Sequence, residues 1–245
     1  MPTIGVNASH GGTIFASVTG GTDANFHTFR GQGFGVRGQP QPSLSADPSD
    51  ATDDARCIIV SPAQFRGART YYEIDTSSIT SAVASATFDI NVTTETGAGG
   101  VILIKGTDLG GTFTAFGDYL SPVGIDNSNS DASYDGVATE YSDAATLSGT
   151  GAKSITFNAA ALSDMQSDDE FYVCVMSKHD YEADKPASIF DGETIRWDGR
   201  TGTTPPVLNY TLSTGYANNI MGVASANIGS VIGVATANID KINGV

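Results

Sequence analysis

The sequence predicts an all-β protein: a β-sandwich of jelly-roll type with an N-terminal arm and a C-terminal repeat tail. Three observations lead there. Short segments alternate apolar and polar residues with a period of two, as in "TFDINV" (87–92), where Phe88, Ile90 and Val92 share one face and Asp89 and Asn91 the other. Turn residues separate those segments, and the chain holds 29 Gly and 9 Pro. Finally, the sequence closes on a repeat: "GVASANIGSV" (222–231) returns as "GVATANIDKI" (233–242).

The order of elements follows from the same signals. Residues 1–55 read as an arm or as first strands with a loop. "TIFASV" (13–18) and "NFHTFRG" (25–31) are short strand candidates, and "RGQPQPSLSADPSDATDDA" (37–55) is an aperiodic Pro/Asp/Ser loop. Residues 56–213 form the sandwich. Its strands are expected in "CIIVSPAQF" (57–65), "ARTYYEIDTSSI" (68–79), "SATFDINVTTE" (85–95), "GVILIKGT" (100–107), "GTFTAFGDYL" (111–120), "KSITFNAAAL" (153–162), "SIFDGETIRWDG" (188–199) and "PVLNYTLST" (206–214). The strongest lies in "SDDEFYVCVMSKHDYE" (167–182). Phe171, Val173 and Val175 face one way; Tyr172, Cys174 and Met176 face the other. Apolar residues on both faces place it at the centre of a sheet. The single helical candidate is "NAAALSDMQ" (158–166). Residues 214–245 are the repeat tail.

Composition narrows the function classes. Asp plus Glu number 27 against 12 Lys plus Arg, a net charge of −15. Such a chain repels phosphate backbones, so nucleic acid is not expected as a partner. No basic segment followed by an apolar stretch opens the chain, so no signal peptide is expected. No apolar run reaches the ~18 residues of a membrane helix, so no membrane partner is expected. Cys57 and Cys174 lie in apolar runs and read as buried free thiols.

Two resemblances refine the picture. "ARTYYEIDTSSITSAVASATFDINV" (68–92) and "SIFDGETIRWDGRTGTTPPVLNYTL" (188–212) resemble the opening and closing segments of the DNRLRE-type jelly-roll domains, β-sandwich modules of secreted polysaccharide-degrading and surface proteins. Ile74 stands where that family has Phe. The resemblance covers about residues 55–215 and implies the fold; many functions share such a sandwich. "ANIDKINGV" (237–245) resembles repeats that end structural proteins of tailed bacteriophages.

The repeat admits three ordered readings, set against a disordered tail, which the recurring Ile and Val disfavour. One is a helix, whose apolar positions suit a right-handed coiled coil, against which stand Gly222, Gly229, Gly233 and Gly244. The second is a stack of units, each a helical turn ("IGSV" or "IDKI") capped by Asn227 or Asn238 and followed by an extended "VA". The third is a strand laid along a neighbour's sheet. All three bury Ile220, Val223, Ile228, Val231, Val234, Ile239, Ile242 and Val245 against a neighbour, because so few repeats cannot cover their own apolar face.

Other candidate sites are sparser. Asp126, Asp131 and Asp135 offer oxygen ligands at close spacing, so calcium is the one cofactor the sequence suggests, against the plainer reading of a solvated loop. Trp197, with Arg196 beside it, is a candidate sugar platform, against a role in the core or at its rim. His179 lies among Asp180, Glu182 and Asp184, in a pattern that reads as a polar strand-end loop more readily than as a metal or acid–base site. No nucleophile, metalloprotease or phosphate-loop motif appears, so no enzyme is expected. The expectation is a structural virion protein of a tailed phage, made in the host cytoplasm. A capsid decoration (cement) protein comes first, with a tail, neck or fibre component beside it. Its partners would be other virion proteins and further copies of itself, a trimer being one arrangement. The alternative is a carbohydrate- or receptor-binding sandwich that takes a surface glycan.

Overall fold

The computed structural model describes residues 1–20, 22–27, 30, 51–60, 64–97, 100–108, 125, 132–188 and 192–213, with the strand segments 43–47, 230–231 and 234–235. In chain order the elements are β1 (Thr3–Gly5), β2 (Gly11–Thr19), α1 (Asp23–His27), β3 (Ser43–Asp47), β4 (Thr52–Val60), β5 (Gln64–Asp75), β6 (Val83–Thr96) and β7 (Gly100–Lys105). There follow β8 (Ala145–Thr146), β9 (Gly151–Thr156), α2 (Ala159–Ser167), β10 (Glu170–Ser177), α3 (Lys178–Glu182), β11 (Gly192–Asp198), β12 (Val207–Leu212), β13 (Ser230–Val231) and β14 (Val234–Ala235).

The protein is all-β, a curled antiparallel sheet forming a sandwich of jelly-roll type. Strands run β1-β12-β6-β11-β4-β5-β10-β7-β8, with β2 also on β5, β3 on β2 and β9 on β6. β10 lies between β5 and β7, in register with both. That is the central place its two apolar faces demand. Phe171, Val173 and Val175 enter the inner core with Tyr72, Phe88, Ile90, Val92, Trp197 and Leu208. Cys174 and Met176 enter a second core with Ile14, Val18, Cys57, Phe65, Tyr71 and Ile104. The outer face of a sandwich is ordinarily polar. Here it is apolar and covered by Phe26 of α1, Tyr134 and Ala138 of the turn before β8, and Tyr181 of α3.

Residues 3–5 and 11–19 belong to the sheet, β1 paired with β12 and β2 with β5 along nine residues. Asn7 and His10 fasten the connection: Asn7 Nδ2 lies 2.7 Å from Glu73 Oε1, and His10 Nδ1 2.8 Å from Glu73 Oε2. Three local expectations change. "RGQPQPSLSADPSDATDDA" was expected as a loop, yet Ser43–Asp47 is strand β3, drawn into the sheet by pairing with β2, and β4 begins at Thr52. "NFHTFRG" was expected as a strand, yet Asp23–His27 is helical and inserts Phe26 into the outer core. "SKHDYE" was expected to end a strand; it is helix α3, because the Ser177 side chain caps it by accepting from Asp180 N. The expected helix is present as α2, where Asn158 caps Ala161 N and Ala161 and Met165 are buried. Both cysteines are free and buried. "GTFTAFGDYL" lies outside the described residues.

Gly192 opens β11 at φ +103°, where a Cβ would lie 2.2 Å from the Cys57 carbonyl oxygen of the paired strand. A side chain there requires both a disfavoured backbone and a displaced β4. Gly192→Ala is therefore expected to destabilise the fold by about 1–3 kcal/mol, read as a lower urea midpoint.

Candidate functional site

Among the described residues three polar clusters centre on arginines or on a buried carboxylate of the sheet, and their accessibility separates structural from binding roles. The first lies inside the sandwich. Tyr72 Oη donates to Asp53 Oδ2 at 2.5 Å, and Trp197 Nε1 donates to Tyr72 Oη at 2.6 Å. Thr13 Oγ1 donates to Asp53 Oδ1 at 3.1 Å and shares a 2.7 Å bond with Thr70. Four strands, β2, β4, β5 and β11, are thus tied through one carboxyl group. Burial pushes the Asp53 carboxyl above its ordinary value, opposed by the bonds from Tyr72 and Thr13 and by the charge of Arg200. Burial also pushes the Tyr72 hydroxyl well up. Asp53 and Trp197 are fully buried, so this network fixes strands and meets no ligand.

The second lies under the outer layer. Arg69 on β5 grips Asp180 on α3 with two bonds, Nε to Oδ2 at 2.7 Å and Nη2 to Oδ1 at 3.0 Å. Arg30 Nε reaches the Asp180 carbonyl at 2.9 Å, and its guanidinium lies 4.3 Å from the centre of the Tyr134 ring. Tyr134 Oη donates to the Arg30 carbonyl at 3.1 Å. All four side chains are sealed from solvent. This bidentate pair clamps α3 and the turn at 134 to the sheet. Beside it, Glu193 accepts from Gly100 N and His179 N, while its burial raises its pKa.

The third is open to solvent. On one face of β2, β5 and β4, cross-strand rows place Phe15, Ala68 and Arg56 side by side, then Ser17, Arg66 and Ile58. β11 adds Arg196 opposite Asp54. Asp54 accepts from Arg56 Nη2 at 3.0 Å and from Arg196 Nε at 2.8 Å. Arg66 Nε donates to Gln64 Oε1 at 2.9 Å. The Arg56 guanidinium sits 5.8 Å from the centre of the Phe15 ring. A groove of about 240 Å³ runs between Phe15, Ser17, Arg56, Gln64 and Arg66.

The sequence-predicted sites fare differently. Trp197 has no exposed ring face, which corrects the platform reading: a stacking platform needs one face in solvent, and this indole is spent on the core and on Tyr72. The Arg196 side chain is 43% exposed and shares the Asp54 carboxylate with Arg56 of the groove. Asp135 is exposed on the turn before β8, while Asp126 and Asp131 lie outside the described residues. Among the described residues no three His, Cys, Asp or Glu side chains gather as a metal site. The "HDYEAD" group separates: Asp180 points inward to Arg69, while His179 Nδ1 lies 3.1 Å from Asp184 Oδ2. In the tail, Val231 and Val234 lie on β13 and β14, paired antiparallel. The extended pairing of residues 230–231 departs from the helical turn expected for "IGSV". Ile220, Val223, Ile228, Ile239, Ile242 and Val245 lie outside the described residues.

Sequence reasoning missed the groove. Its one signal was arginine at 56 and 66, close together in a chain poor in basic residues. No described helix is long and apolar enough to cross a membrane. No protein-family model matches the chain, and a search of curated proteins returns no relative.

Two substitutions test the buried networks. Arg69→Met leaves the Asp180 carboxylate without its bidentate partner and is expected to cost about 3–5 kcal/mol in urea unfolding. Asp53→Asn keeps an acceptor for Tyr72 and offers Thr13 a donor, but removes a group whose folded pKa is raised. A raised carboxyl stabilises the fold below its unfolded value and loses that contribution as pH rises through the folded value. The stability of Asp53→Asn relative to the parent should therefore rise from about pH 4 towards neutrality, as read from urea midpoints across that range.

Proposed function

We propose that this protein is a structural component of a tailed-phage particle, held there without covalent bonds by its C-terminal repeat. A decoration protein on the capsid is the first role, and a tail, neck or fibre component the second. One observation carries the reading: Gly222, Gly233 and Gly244 mark an eleven-residue step along which Ile and Val recur, after β12 has closed the body.

The physical argument is one of cover. The body packs its own two cores, with Phe88, Val173, Trp197 and Leu208 wholly buried in the inner one and Ile14, Phe65 and Met176 in the outer one. Two copies of a short apolar unit are fewer than a free-standing stack needs, so a neighbouring chain covers them. The paired Ser230–Val231 and Val234–Ala235 favour an extended form of the unit, suited to docking along another sheet. The acidic body then faces solvent, where like charge keeps bodies apart until the tail engages. The buried positions of the polar networks support a scaffold more than a catalyst.

Deleting residues 216–245 is the test. The truncated body should keep the β-type circular dichroism and cooperative melting of the full chain, and should fail to enter particles assembled in its presence. Incorporation equal to that of the full chain overturns the proposal.

A further inference from the structure

We propose that the groove between Phe15, Arg56, Gln64 and Arg66 binds the carboxylate-bearing ring of an acidic sugar, with Arg196 beside Arg56 on the Asp54 carboxylate. The inference is independent of the tail and of the particle role.

Charge is the first argument. The chain carries −15 overall, yet Arg56 and Arg196 converge here on the carboxylate of Asp54, and Arg66 stands on the neighbouring strand beside Arg56. Asp54 accepts one bond from Arg56 and one from Arg196, which leaves further guanidinium N–H groups of both, while Arg66 is bonded to a neutral amide. Guanidinium forks match carboxylates in a bidentate geometry, and Arg remains a cation at any accessible pH. A second observation points the same way: Arg56 Nε is buried and has no hydrogen-bond partner among the described residues. A buried donor without a partner costs about 1–3 kcal/mol; Asp54 thus leaves the Arg56 guanidinium under-bonded, and an anion in the groove adds to the one bond that guanidinium makes.

Shape and chemistry select the rest of the ligand. Phe15 is part-exposed and contributes a flat apolar wall facing the cation, suited to the C–H face of a pyranose. The Gln64 amide and Ser17 hydroxyl supply bonding for ring hydroxyls. Small residues, Ala16 and Gly67, line the remainder and leave the space open. About 240 Å³ falls below the ~300 Å³ at which drug-sized pockets begin, so the groove takes a single ring. A nucleic acid is disfavoured because its run of phosphates would extend past the groove into the negative field of the body, whereas a single carboxylate would not.

The experiment is an NMR titration of the full-length protein at low ionic strength with glucuronate, glucose and acetate as separate probes. Glucuronate should give saturable shifts at Phe15, Gln64 and Gly67, and high salt should weaken them. Arg66 is exposed, so Arg66→Gln should leave melting unchanged while weakening glucuronate binding about tenfold or more; Arg196→Gln should weaken it less. Absent saturable shifts overturn the proposal. So does glucose binding as well as glucuronate, which removes the role of the carboxylate, or acetate binding as well, which removes the role of the ring. Glucuronate binding that survives both substitutions overturns it too.

Discussion

The structure depends on one constraint: β10, and β5 from Thr70 to Ile74 where the two pair, are buried on both faces, and water must be kept from each. On the inner side this is the ordinary closure of a sandwich, with β6, β11 and β12 folded over Tyr72, Ile74, Phe171 and Val173. On the outer side it calls for a third layer. α1, α3 and the turn at 134–138 supply that cover, yet they are short and bring few apolar side chains of their own. The Arg69–Asp180 clamp answers this weakness by fixing α3 at one buried point. Ion pairs in such a place add little to stability when replaced whole, but they specify where a short element sits.

The inner sandwich was legible in the sequence because its signal is local. Alternation in "TFDINV" and two-sided burial in "FYVCVM" each follow from period-two geometry, and both segments occupy the positions that geometry implies. α2 was legible because Asn158 precedes a run of good helix formers. What escaped reading was non-local. "NFHTFRG" and "SKHDYE" have no period long enough to identify a helix, and tertiary contacts decide them: Phe26 against Phe65, Asp180 against Arg69. Trp197 has the same lesson. An aromatic beside arginines suits a ligand platform, but strand parity turns Trp197 inward and leaves Arg196 outside.

The arginines show the same partition by parity. Arg69 on β5 faces the outer layer, whereas Arg66 on the same strand faces the groove, the odd separation placing them on opposite sides of the sheet. One neutralises a buried carboxylate; the other offers its charge to solvent. A chain with 12 basic residues thus divides them between holding the fold and marking one patch of an acidic surface. Scaffold and groove are separable in consequence, since the open arginines are not the ones that fasten the layers.

The two thiols carry a consequence of their own. Cys57 and Cys174 both sit in the outer core, and burial raises both, Cys174 to about 12. The thiolate is the form that attacks an alkylating reagent, so neither sulfur reacts while α1, α3 and the turn stay seated. Reaction reports the peeling of that cover from the sheet, an opening that need not disturb the inner sandwich. The molecule therefore carries native reporters of its most weakly built layer.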